Sequence, residues 1–135
     1  MKNNITSILA VFMINTLVTG THLTYAGETE LNGHELLDKC QVAVDYLDND
    51  LKSDDLESVR FCDDYLMGFR EDENVKQRYL PGQYFKGYCF PTNGVNNGEL
   101  ARVVVDYLQV TDDGLDKSAR ELVRQALIHG YPCAN

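Results

Sequence analysis

Cysteines, histidines and paired acidic residues are the side chains of this sequence with chemistry to offer. A nucleophilic cysteine needs a free thiolate beside a base, and a zinc site favours paired C-x-x-C spacing with histidines nearby. Cys40, Cys62, Cys89 and Cys133 stand singly and far apart, and beyond residue 26 the only histidines are His34 and His129. An even cysteine count in a short exported domain reads instead as a disulfide framework, with three possible connectivities. Oxidised cysteines leave no thiol nucleophile. The acidic pairs Asp54-Asp55, Asp63-Asp64 and Asp112-Asp113 invite comparison with a glycosidase, which holds two carboxylates across a cleft. Neighbours on a helix point about 100° apart, so these pairs read as solvated faces. Asp48-Asn49-Asp50 begins like a calcium loop, but Lys52 and Ser53 stand where a ligand and the turn glycine belong. Trp is absent, and no glycine-rich phosphate loop precedes a helix. No catalytic residue, metal or cofactor is expected.

One segment suits contact better than chemistry. Asn74 to Phe90 gathers Tyr79, Tyr84, Phe85, Tyr88 and Phe90 with Lys76, Arg78 and Lys86, in a chain of 12 basic and 21 acidic residues. Tyrosine and arginine are the residues that interfaces favour. Arg70, Glu71 and Asp72 stand just before it and would add a charged rim. The candidate contact residues are therefore Arg70, Glu71, Asp72, Arg78, Tyr79, Tyr84 and Phe85. The competing reading is that the aromatics cap the fold and shield Cys89 and Cys133. The formal net charge of −9 disfavours nucleic acid and anionic membranes and suits a basic protein partner.

The start of the chain places these residues in an oxidising compartment. Lys2 is followed by an apolar run from Ile5 to Val18, of about 14 residues where a spanning helix needs roughly 20. No acidic residue lies between Asn3 and Gly27, and Thr24-Tyr25-Ala26 is an acceptable cleavage site. Residues 1–26 are therefore expected to be a cleaved secretory signal and 27–135 a single periplasmic domain, with no membrane association after cleavage.

Apolar spacing in that domain is helical almost throughout. A first helix should start at an Asn32 cap and run to about Asp48, with Leu36, Leu37, Cys40, Val44 and Leu47 as its stripe. A polar turn over 49–53 leads to a second helix, capped by Asp54 with Glu57 three residues on. Its stripe is Leu56, Val59, Cys62, Leu66 and Phe69. Periodicity weakens from Asp72 to Gly98, where Pro81-Gly82, Pro91, Asn93-Gly94 and Asn97-Gly98 act as breakers. A third helix spans roughly Asn97 to Val110 with Leu100, Val103, Val104, Tyr107 and Leu108 inward. The fourth runs from about Asp116 to His129 on Ala119, Leu122, Val123, Ala126 and Leu127. His34 and His129 then lie in the first and last turns of helices, where structural roles suffice. Gly130 and Pro132 close the fourth helix.

Short first and last connections predict two antiparallel hairpins packed as an all-α bundle of about four helices. Cys40 and Cys62 fall near the middles of the first two helices and can face each other. Cys89 precedes the third helix and Cys133 follows the fourth, so antiparallel packing brings them together. The predicted bridges are Cys40–Cys62 and Cys89–Cys133.

The landmarks also come in a particular order. Gly33-x-x-Leu36-Leu37-x-x-Cys40 opens the domain and Cys62-x-x-Tyr65-Leu66-x-Gly68 follows. Cys89-x-Pro91-x-x-Gly94-Val95 precedes Val103-Val104-x-x-Tyr107-Leu108, and Ser118-Ala119-x-x-Leu122-Val123-x-x-Ala126-Leu127 closes on Tyr131-Pro132-Cys133. This set resembles the Rap/Tai family of immunity proteins of type VI secretion. The resemblance implies an exported, disulfide-bonded, helical and often homodimeric protein. Such a protein binds and occludes a secreted amidase that cleaves peptidoglycan cross-links. Beside that reading stand a periplasmic helical binding or structural module without a toxin, and a small secreted hydrolase.

Overall fold

The computed structural model describes residues 30–49, 55–82, 85–111 and 114–134. The expected signal segment, residues 1–26, lies outside them, as do Asp54, Tyr84, Asp112 and Asp113. The chain is all-α: α1 covers Gly33–Asn49, α2 Leu56–Tyr79, α3 Asn97–Gln109 and α4 Ala119–Gly130. Among the described residues the only β pairings are isolated bridges, Asn32 with Ser118 and Tyr88 with Pro132. No described helix is long and apolar enough to cross a membrane.

Each helix begins where a side chain can accept an otherwise orphaned amide. Asn32 takes the Glu35 N–H at 3.1 Å, as expected. At α2 the cap is Asp55, which accepts from the Ser58 amide at 3.0 Å and from the Ser58 hydroxyl. These two bonds hold the Asp55 carboxyl below its ordinary range. The third helix, α3, begins at Asn97 as expected, with Gly98 in its first turn. Asn96 and Glu99 there exchange the two bonds of a capping box. Ser118 caps α4, so that helix starts three residues later than Asp116. Gly130 is its last helical residue rather than a turn beyond it. A Cβ there would lie 2.5 Å from Val103 Cγ1, so the glycine lets α3 and α4 approach.

The largest departure from expectation is the length of α2, which continues seven residues past Asp72. Periodicity is lost there because the inward position after Phe69 is Glu73, a carboxylate that is 0% exposed. Charged residues are almost never buried without partners, and Glu73 has them: Arg124 donates to it at 2.7 Å and Arg120 at 3.3 Å. Lys76 stands 3.9 Å away.

Contacts between helices define the directions. Cys40 meets Cys62 while Leu47 and Val59 share a crevice, so α1 and α2 are antiparallel. Gln109 bonds Gln41 and Arg102 bonds Asp48, which sets α3 antiparallel to α1 as well. Tyr107 meets Gln125, and Val103 abuts Gly130, making α3–α4 the second hairpin. It follows that α2 and α3 run the same way. Asn97 bonds Asp63 at 2.7 Å, so α3 starts beside the first half of α2. The segment 80–96 must therefore retrace about 24 Å of helix, at 1.5 Å per residue, before α3 begins. The starts of α1 and α4 are tied by Gly33 N–H to Leu115 O and Ala119 N–H to Leu31 O, both 2.7 Å.

Leu36, Cys40, Leu66, Leu100, Val104, Leu108, Leu122 and Leu127 form the heart of one core. The α4 stripe is buried at all five expected positions. Leu47 and Leu56 were expected inward and are about half exposed, because both lie at the α1–α2 end of the bundle. Both expected bridges are present, with Cα–Cα distances of 5.0 Å for Cys40–Cys62 and 4.8 Å for Cys89–Cys133.

Candidate partner interface

The returning segment is where the sequence concentrates its candidate contact residues. It leaves α2 with the Leu80 N–H bonded to Lys76 O at 2.9 Å and turns at Pro81-Gly82, where Gly82 takes a φ of 78°. Its far end is fastened to the C-terminal tail three ways. Cys89 N–H donates to Tyr131 O at 2.9 Å, Tyr88 pairs with Pro132, and Cys89 is bonded to Cys133.

The aromatics of the segment divide into a packed group and an exposed group. Tyr88 is buried and packs on Phe90 at 5.1 Å, and Phe90 meets the edge of Tyr131 at 5.1 Å. Lys86 lies over both rings of the first pair. These rings close the end of the bundle. Tyr79 and Phe85 face outward, 72% and 75% exposed. Gly87 marks the division. Its φ of 80° is open chiefly to glycine, and a Cβ there would sit 3.1 Å from Ile128. The backbone turns at that point from the outward Phe85 to the inward Tyr88.

The charged candidates are also split. Glu71 and Arg78 are exposed. Arg70 donates to Val95 O at 3.1 Å and so braces the entry to α3. Asp72 accepts from Arg120 and sits 2.9 Å from Lys76. With Glu73, Lys76, Arg120 and Arg124 it forms a charged seam joining α2 to α4, and Arg120 also lies over the Phe69 ring. Sequence reasoning missed this seam. Arg120 and Arg124 are one turn apart beside the α4 stripe, but nothing local to them names their acid.

Among the described residues the chemistry-bearing side chains do not converge. Asp55 caps α2, Asp63 accepts from Asn97, and Asp64 faces solvent. His34 stands 3.4 Å from Asp116 on the surface, and His129 packs against Tyr107. Among the described residues no three His, Cys, Asp or Glu side chains are grouped to hold a metal ion. An open crevice of about 190 Å³ lies between α1, α2 and the start of α3, lined by Ala43, Tyr46, Leu47, Val59 and Ala101. Its walls are mainly apolar, which suits a partner's side chain better than a polar substrate.

Neither a curated protein nor a solved structure matches the chain. A family model, that of the Rap1a immunity proteins, matches residues 32–133. The match runs from the α1 cap to the last cysteine, so it takes in all four helices and both bridges. On that span, this chain belongs to the Rap1a immunity protein family.

Proposed function

We propose that this protein is a periplasmic immunity protein that binds a peptidoglycan amidase toxin delivered by type VI secretion and occludes it. The observation carrying the reading is the family match over 32–133, since an immunity protein acts by neutralising a toxin. In this reading residues 1–26 direct export and are removed after Ala26. The folded domain then works as a binder rather than an enzyme. Glu71, Arg78, Tyr79 and Phe85 are its outward contact residues, with Tyr84 beside them in sequence. Arg70 and Asp72 act from behind, by bracing the surface that the others present.

Occlusion suits what the residues offer. A bridged bundle presenting exposed aromatics can lose little conformational entropy on docking, which favours affinity. The test is co-expression with a panel of peptidoglycan amidases, each directed to the periplasm. The expected result is that the full chain restores growth against at least one amidase, while a chain lacking residues 2–26 does not. Lysis unrelieved across the panel would overturn the reading. N-terminal sequencing of the periplasmic protein should begin at Gly27.

A further inference from the structure

The long helix α2 shows two different faces. Ser58, Cys62, Leu66, Phe69 and Glu73 point into the bundle. On the other side Asp64, Met67, Gly68, Glu71 and Val75 recur at three- and four-residue steps, and all are exposed. Met67 is 38% and Val75 49% exposed, with Gly68 between them.

Gly68 is the informative residue. Glycine inside a helix is unfavourable relative to alanine, because it loses more backbone freedom on folding. Elsewhere in this chain the fold accounts for such a choice. A Cβ at Gly33 would lie 2.4 Å from Leu122, and one at Gly130 would lie 2.5 Å from Val103. At Gly68 a Cβ would meet nothing within 4 Å, and its φ is not among the left-handed ones. No contact among the described residues requires the missing side chain. A bare backbone flanked by exposed Met67 and Val75 is instead a place where another molecule can approach closely.

We propose that this outer face of α2, centred on Gly68, is the surface on which a basic protein partner docks. The assignment rests on the immunity reading above, and names the part of this protein that its toxin covers. Charge selects the occupant. Glu57, Asp64 and Glu71 line the face and form no ion pair among the described residues, against two exposed arginines on it, Arg60 and Arg78. A second copy packed here about a two-fold axis would bring like-charged rims together, in a chain of net charge −9. A partner with a basic rim and an apolar centre meets no such penalty.

The experiment measures affinity by calorimetry for the amidase that the unaltered protein neutralises in the panel, alongside thermal unfolding of each variant. Gly68→Ala is expected to raise the unfolding midpoint, because alanine is the better helix former. Gly68→Gln should bind more than about tenfold more weakly, and Asp64→Lys with Glu71→Lys should weaken binding and flatten its salt dependence. Tight binding by the unaltered protein that is unchanged in Gly68→Gln and in the charge reversals overturns the assignment. So does self-association of the unaltered protein that these variants abolish while amidase affinity stays intact. If the unaltered protein binds no amidase in the panel, the immunity reading has failed, and the assignment falls with it.

Discussion

The two disulfides are the same bond set in opposite surroundings. Cys40 and Cys62 are 0% exposed and fill the seam between α1 and α2. Cys89 is exposed and Cys133 half-buried, and their bond fastens the returning segment to the tail. Loop-closure arithmetic ranks the outer bond higher. A separation of 22 residues gives about 3 kcal/mol and one of 44 about 4 kcal/mol. Burial reverses that order. Removing the inner bond also leaves an unfilled volume at the centre of the core, where surrounding atoms relax only partly. The inner bridge thus maintains the bundle, and the outer one positions the segment that carries several of the candidate contact residues.

The largest expected effect tests that ranking. Cys40→Ala with Cys62→Ala should lower the unfolding free energy by roughly 5 kcal/mol, measured by urea titration. The Cys89→Ala, Cys133→Ala pair should cost less, up to about 4 kcal/mol. An equal or larger loss from the outer pair would break the comparison. In the native protein a mild reductant followed by alkylation should label Cys89 and Cys133 first, since a thiolate must reach the sulfur it attacks.

A second test concerns the charged seam that ties α2 to α4 near the returning segment. Glu73→Gln removes the buried anion and leaves Arg120 and Arg124 facing a neutral amide. Breaking a buried pair costs about 3 to 5 kcal/mol. Both arginines keep some contact with water, so the expected loss is about 2 kcal/mol. A stability unchanged within error would show that the seam is no fastening at all.

These cases also show what was legible beforehand. The α4 stripe could be read completely because every inward position is aliphatic and the register is unbroken from Ala119 to Leu127. The disulfide pairing followed from hairpin order alone. The second half of α2 could not be read, because Glu73 breaks the apolar period while occupying a core position. Its arginine partners, Arg120 and Arg124, are about fifty residues away in sequence. The aromatics of the returning segment were found as a group, but Phe85 and Tyr88 differ in burial through a left-handed turn at Gly87 that no apolar pattern encodes. Of the contact candidates, Glu71, Arg78, Tyr79 and Phe85 proved outward, whereas Arg70 and Asp72 are engaged within the fold.

The smallest effect lies at the start of α2, remote from the returning segment. Asp55 is held below its usual range first by the Ser58 hydroxyl bond and then by the Ser58 amide. A lowered folded-state value means the cap stabilises the protein above the ordinary carboxylate pKa of 3.8 and loses that contribution as pH falls through the lower folded value. Asp55→Asn should therefore flatten the acid end of the stability profile while keeping the cap near neutral pH. An unchanged acid slope would place the sensitivity elsewhere.

The central claim is neutralisation by binding, and residual amidase activity tests it most directly. The oxidised domain, residues 27–135, is titrated into any amidase of the panel whose lysis the full chain relieves, and cleavage of peptidoglycan cross-links is followed. The prediction is loss of cleavage that is complete at a fixed molar ratio, with the amidase recovered intact in a stable complex. Cleavage that persists in the presence of a large excess of the folded, fully bridged protein would contradict it.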